Sequence, residues 1–215
     1  MKVLLHPASG EITEKKSTFI CYLQPVSNEE EAQNFIKEIK KKHYDARHNC
    51  SAYIISGEPE SGTPDIVRSS DDGEPGGTAG RPMLEVLQHE DLTNVCAVVT
   101  RYFGGVLLGT GGLVRAYQGA VKAALESAET LSRIEGYKAE IKVPYDLLGK
   151  VEYYLNEHKE LHREDTAYNE DVVFTVLVPE PQLGPLTRDM TELSSGKIKV
   201  DPGELTTYTI DSNTP

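Results

Sequence analysis

The run Asn94-Val95-Cys96-Ala97-Val98-Val99-Thr100-Arg101 is followed by Tyr102-Phe103-Gly104-Gly105-Val106-Leu107-Leu108-Gly109-Thr110-Gly111-Gly112 and then by Leu113. The first part is rich in β-formers and holds no turn former, so it predicts a strand buried at the centre of a sheet. The glycine-dense part that follows cannot hold regular structure. From Leu113 to about Leu131, Leu113, Ala116, Tyr117, Ala120, Ala124 and Leu125 recur at helical spacing, which predicts a long helix with one apolar side. A central strand, a glycine loop and a helix in this order predict a layer of helix on sheet.

Upstream, the first strand reads from Thr18 to Val26. Ser27 or Asn28 then caps a helix whose first turn carries Glu29, Glu30 and Glu31, where the helix dipole favours anions. Ala32, Phe35, Ile36 and Ile39 form its apolar stripe. Cys50 to Ser56 and Asp65 to Ser70 read as two more strands, joined by a turn-rich hairpin connection from Gly57 to Pro64. Asp71-Asp72-Gly73-Glu74-Pro75-Gly76-Gly77-Thr78-Ala79-Gly80 is a second loop of turn formers. Arg81-Pro82 opens a helix through Leu87, with proline near its first position.

Downstream the composition shifts between Ser132 and Gly136. Strand (Lys138 to Tyr145), helix (Asp146 to His158), strand (Leu161 to Asn169), strand (Asp171 to Pro179), helix (Leu183 to Ser194) and strand (Ile198 to Ile210) follow. That βαββαβ order is the ferredoxin-like pattern. The fold class expected is therefore α+β, with domains at 1–134 and 137–215.

The whole chain has 215 residues, 22 basic and 34 acidic, for a net charge of −12. Before Gly136 there are 14 basic and 19 acidic residues; after it, 8 and 15. Binding of nucleic acid or an anionic membrane by overall charge is excluded, although a local basic patch is not. Cys21, Cys50 and Cys96 are few and far apart, so neither a disulfide framework nor a zinc cluster is indicated. The opening residues lack the apolar stretch of a signal peptide, and no run reaches the ~20 apolar residues of a spanning helix. A soluble, cytoplasmic protein is expected, with neither a membrane nor DNA as partner, and with no cofactor.

The chemistry concentrates in the two glycine loops, each just before a helix N-terminus, where free N–H groups and the dipole favour anions. Thr78 and Thr110 are placed to contact a phosphate there, with Gly104 and Gly105 allowing close backbone approach. Arg101 and Arg115 would add charge-assisted contacts. The plainer alternative is that the glycines only make turns and the arginines pair with Asp71, Asp72 or Glu74. Neither phosphate motif fits: Thr110 stands where a P-loop needs lysine, and Val114 where a dinucleotide fingerprint needs its third glycine. Asp71, Asp72 and Glu74 are candidate Mg²⁺ ligands, although an acidic turn that caps a helix or pairs with arginine is the preferred reading. His48 beside Cys50 suggests a thiol nucleophile, but no orienting third group is visible and a core cysteine is preferred. Lys37, Lys40, Lys41 and Lys42, with Arg47 and His48 after them, are the main basic concentration, readable as phosphate contacts or as a solvated helix end.

Ser69 to Pro82 and Val99 to Tyr117, with Lys16-Ser17-Thr18-Phe19-Ile20 and Asp45 to Tyr53 upstream, resemble the IMPACT/YigZ family. The resemblance covers about residues 1 to 130; the second domain is similar to the one that follows in bacterial members. It implies a first domain similar to domain IV of elongation factor G and a ferredoxin-like second domain. Eukaryotic members regulate translation and carry a further N-terminal domain for a partner contact; no such domain, and so no such partner, is expected here. The expected function is therefore a translation-associated regulator, non-enzymatic by preference. It would meet ribosomal RNA, the ribosome or a translation factor through the glycine-loop face, with His48, Arg101, Arg115, Lys40 and Lys41. The alternative is an enzyme on a phosphorylated small molecule, with Asp72 or Glu74 as acid/base group or Mg²⁺ ligand and His48 as proton shuttle. An adaptor that binds only protein is a third possibility.

Overall fold

The fold, taken from a computed structural model, is described for residues 1–57 and 63–211. The expected connection from Gly57 to Pro64 lies mostly outside those residues. The chain divides into two compact units, Met1–Ser132 and Arg133–Pro215.

The first unit holds strands β1 (Lys2–Leu4), β2 (Ala8–Glu14), β3 (Ser17–Pro25), β4 (His48–Ile55), β5 (Ile66–Ser70) and β6 (Val95–Tyr102), and helices α1 (Glu29–Lys42), α2 (Gly80–His89) and α3 (Thr110–Leu125). Five strands form an antiparallel sheet in the order β2-β3-β6-β4-β5. The apolar run at Val95–Val99 is thus central and fully buried, as its composition requires. On one sheet face, Phe19, Cys21, Cys50, Ala52 and Val99 pack against Met83 and Leu87 of α2 and Tyr117 and Ala120 of α3. On the other, Tyr53, Cys96 and Val98 meet Ala32, Ile36 and Ile39 of α1. Each large apolar side chain buried this way contributes about 1.5–3 kcal/mol. Asn28 starts α1: its Oδ1 accepts from Glu31 N at 2.9 Å, while Glu31 reaches back to Ser27 N at 2.7 Å. This resembles a capping box, with the return bond made one residue before the cap.

Three local expectations need correction. The sequence gives no strand before Thr18, yet β1 and β2 precede it, and β2 pairs with β3 through a turn at Lys15 and Lys16. The helix expected to run to Leu131 stops at Leu125. Lys2, Val3 and Leu4 of β1 pair with Ser132, Leu131 and Thr130, which draws those residues into β7 (Thr130–Val143). Tertiary pairing overrides their helical spacing. The last strand is two, β10 (Lys199–Asp201) and β11 (Leu205–Asp211), because Pro202 lacks an N–H and Gly203 turns with φ 60°.

In the second unit β7 is followed by α4 (Leu148–Glu157), β8 (His162–Tyr168), β9 (Val172–Pro179) and α5 (Leu183–Ser194). β9 pairs antiparallel with both β7 and β8, and β10 and β11 pair with β7. This is the expected ferredoxin-like arrangement, with Ile141, Val151, Phe174, Val176 and Met190 in its core. Among the described residues, no helix is long and apolar enough to cross a membrane.

Candidate functional site

His48, at the start of β4, stands opposite Arg101, near the end of β6. Strand alternation turns both towards the α2 and α3 side, the side of Cys50 and Val99. Glu74, from the loop before α2, enters between them. Its Oε1 accepts from Arg101 Nη1 at 2.5 Å and from the Tyr117 hydroxyl at 2.9 Å, and lies 3.9 Å from His48 Nε2. The Arg101 and Glu74 side chains are 6% and 3% exposed. Arg101 also lies over the Phe19 and Phe103 rings, at 5.3 and 5.5 Å. A buried pair of this kind holds the two residues in place more than it adds stability.

Cys50 donates towards the Asp71 carbonyl at 2.9 Å and the Tyr117 hydroxyl at 3.3 Å. Burial pushes its thiol up to about 12, with the Tyr117 hydrogen bond opposing. Burial, then the neighbouring Cys50 and Glu74, raise the Tyr117 hydroxyl well above the usual tyrosine range. Near neutral pH the thiol keeps its proton, so this cysteine is a core residue.

The two glycine loops differ. Before α2, Asp71 Oδ1 accepts from Ala79 N and Gly80 N at 3.0 and 2.8 Å, and Oδ2 from Gly77 N at 2.8 Å. The helix end that the sequence offers to an external anion is filled by the chain's own carboxylate. Thr78 is buried and donates to the Pro75 carbonyl at 2.6 Å. Asp72 accepts from Asn49 N at 2.7 Å and pairs with Lys40 at 2.6 Å, while its carbonyl meets His48 Nδ1 at 2.8 Å. Asp71, Asp72 and Glu74 therefore face separate partners, and among the described residues no group of three or more His, Cys, Asp or Glu is arranged to hold a metal ion.

The loop before α3 is open. Gly109 precedes the helix with φ 73°, no side chain caps it, and no acidic residue lies in its first turn. Its first N–H groups are thus free for an anion. Thr110 and Gly105 are exposed, as is Arg115, whose Nη1 would lie 3.7 Å from a Cβ on Gly111. Arg115 has no acidic partner among the described residues. A Cβ on Gly104 would lie 1.9 Å from the Lys16 carbonyl oxygen, so only glycine lets this loop pass the β2–β3 turn.

Between the loops lies a cleft of about 580 Å³, whose lining includes Arg47, His48, Glu74, Arg101, Phe103, Leu107 and Leu108. His48, Glu74 and Arg101 are thus brought together, Gly105, Thr110 and Arg115 belong to the open loop and helix start, and Thr78 and Asp71 are spent internally. Lys41 is exposed at the end of α1. Sequence reasoning left Tyr117 and Phe103 out of the site. Phe103, an aromatic residue wedged between a buried strand and two glycines, carried a signal; Tyr117 reads only as core.

The description "Impact N-terminal domain" fits residues 15–125, and a domain of unknown function, DUF1949, fits residues 141–197. The chain is similar to the IMPACT family member YvyE of Bacillus subtilis (strain 168), at 47% identity over 196 residues, 91% of this chain and 88% of that protein. It is similar to the IMPACT family member YigZ of Escherichia coli (strain K12), at 35% identity over 86% of this chain and 89% of that protein. A crystal structure of a hypothetical protein matches it at 32% identity with a TM-score of 0.55, covering 94% of this chain and 97% of that one.

Proposed function

Since the chain belongs to the IMPACT family, we propose that it is a translation-associated regulatory protein, docking on ribosomal RNA, on the ribosome or on a translation factor. One observation carries the docking: the open α3 N-terminus lies in a loop whose surrounding cations, Arg47 and Arg115, have no acidic partner among the described residues. Phosphates fit such a rim, since guanidinium groups and free helix N–H groups position them without reading sequence. Lys41 adds a further exposed cation. Arg101 does not serve here, because Glu74 already neutralises it. The acidic second unit suits protein contact or orientation, since it repels phosphate.

Co-sedimentation of the full chain with ribosomes across a salt series tests this, beside an Arg47→Ala, Arg115→Ala double variant. The expected result is binding that falls with salt and weakens in the variant. No binding even at low salt would overturn the docking. It would leave a second reading, an enzyme acting on a phosphorylated small molecule, which is favoured by the convergence of His48, Glu74 and Arg101 on one cleft. The Mg²⁺ form of that reading has lost two of its three ligands to the α2 cap and to Lys40.

A further inference from the structure

A carboxylate in the wall of the cleft separates it from a surface that merely follows a phosphate backbone. Glu74 Oε1 takes the bonds from Arg101 and Tyr117, while Oε2 has no hydrogen-bond partner among the described residues. A phosphate brought this deep would meet that negative charge. A neutral group carrying N–H or O–H donors would satisfy it instead. Beside it, Arg101 Nε is buried without a hydrogen-bond partner. The cleft therefore has an unspent acceptor in its lining and a buried, unspent donor beside it. Such paired donor and acceptor edges are those of nucleobases and of ribose hydroxyls.

The cleft lining also holds apolar side chains. Leu107 is 82% exposed and Phe103 39%, although both are large hydrophobic side chains. An unpaired base has flat apolar faces that cover such groups. Of the cations, Arg47 lines the cleft, over the Phe103 ring at 5.3 Å, and Arg115 stands beside Gly111 at the start of α3. The volume, about 580 Å³, suits one small ligand. A base inside a duplex is stacked and paired, so neither its face nor its pairing edge can enter.

We propose that this cleft is a pocket for one unpaired RNA nucleotide. The base edge meets Glu74 and Arg101, its face lies on Phe103 and Leu107, and its phosphates sit at the rim on Arg47, Arg115 and the α3 N-terminus. This rests on the RNA form of the docking proposed above and narrows it to single-stranded or looped RNA.

Fluorescence anisotropy of the full chain tests it, with a short single-stranded oligoribonucleotide and the same strand annealed to its complement. The proteins compared are the wild type, Leu107→Ser, Phe103→Ala and Lys41→Ala. Leu107 is so exposed that its substitution spares the fold, which an unchanged melting temperature verifies. The single strand is expected to bind about tenfold tighter than the duplex, the scale of one stacked base. Leu107→Ser and Phe103→Ala erase that preference, and Lys41→Ala weakens both forms alike. Equal binding of the two forms, or a preference that survives both loop substitutions, overturns the pocket and leaves the docking standing. Binding to ribosomes without binding to either RNA also overturns the pocket alone. Loss of all three overturns both.

Discussion

Removing Arg101 alone would leave Glu74 buried with the Tyr117 hydroxyl and, at 3.9 Å, His48 against its charge. Breaking one side of a buried pair costs about 3–5 kcal/mol, whereas replacing both sides with apolar groups is often neutral. In urea denaturation, Arg101→Ala should therefore lose about 3 kcal/mol or more, and adding Glu74→Leu should recover most of it. Additive losses would show that the pair is not the unit. Cys50 makes a second prediction. Burial raises its thiol from the ordinary 9.0 to about 12, so the folded state keeps a proton that the unfolded chain releases. This contribution is complete below about pH 9 and is lost as pH rises towards 12, at about 1.4 kcal/mol per pH unit. Cys96, pushed up to about 12 by burial, adds to the same decline. Urea midpoints followed through this window should fall, and Cys50→Ala should flatten the slope.

At the scale of elements, the β2–β3 hairpin turns on Lys15 and Lys16, both left-handed, with φ of 44° and 65°. Two-residue hairpin turns favour Asn-Gly because a side chain with a Cβ is strained there. Lys15→Asn with Lys16→Gly should stabilise the first unit by about 1–2 kcal/mol, read as a raised melting temperature. A fall instead would mean that the lysine side chains hold the turn. The same feature explains why β2 is not legible in the sequence: its turn carries no glycine or asparagine, and none of its residues is buried. β6 and α1 are legible because their signals are local, an unbroken β-rich run and a helix cap beside an apolar stripe. The end of α3 is not, since the pairing of β1 with Thr130–Ser132 lies far away in sequence. The site divides in the same way. Its glycine loops announce themselves, but the Glu74 bonds to Arg101 and Tyr117 span 27 and 43 residues, and no spacing rule reaches that far. Nor does any rule tell that Asp71 closes one helix end while Gly109 leaves the other open.

Over the whole molecule, the net charge of −12 opposes RNA at long range, so affinity must come from a small number of well-placed cations. Lys40 is paired with Asp72, Arg101 with Glu74, and Lys42 lies over the Tyr22 ring, while Arg47, Arg115 and Lys41 near the open loop and the end of α1 have no ion-pair partner among the described residues. Three phosphate contacts to a single strand predict a slope of log affinity against log salt of about −2, at roughly −0.7 per contact. The Arg47→Ala, Arg115→Ala double variant should reduce it to about −0.7. These slopes come from RNA titrations at several salt concentrations with the full chain. A slope near −5 or steeper would require more phosphates than the rim can meet. It would move the contact surface to the lysine stripe of α1, where Lys37, Lys40, Lys41 and Lys42 follow one another. A slope near −2 that drops with the double variant places the phosphates at the cleft, where the sheet end and the uncapped helix already converge.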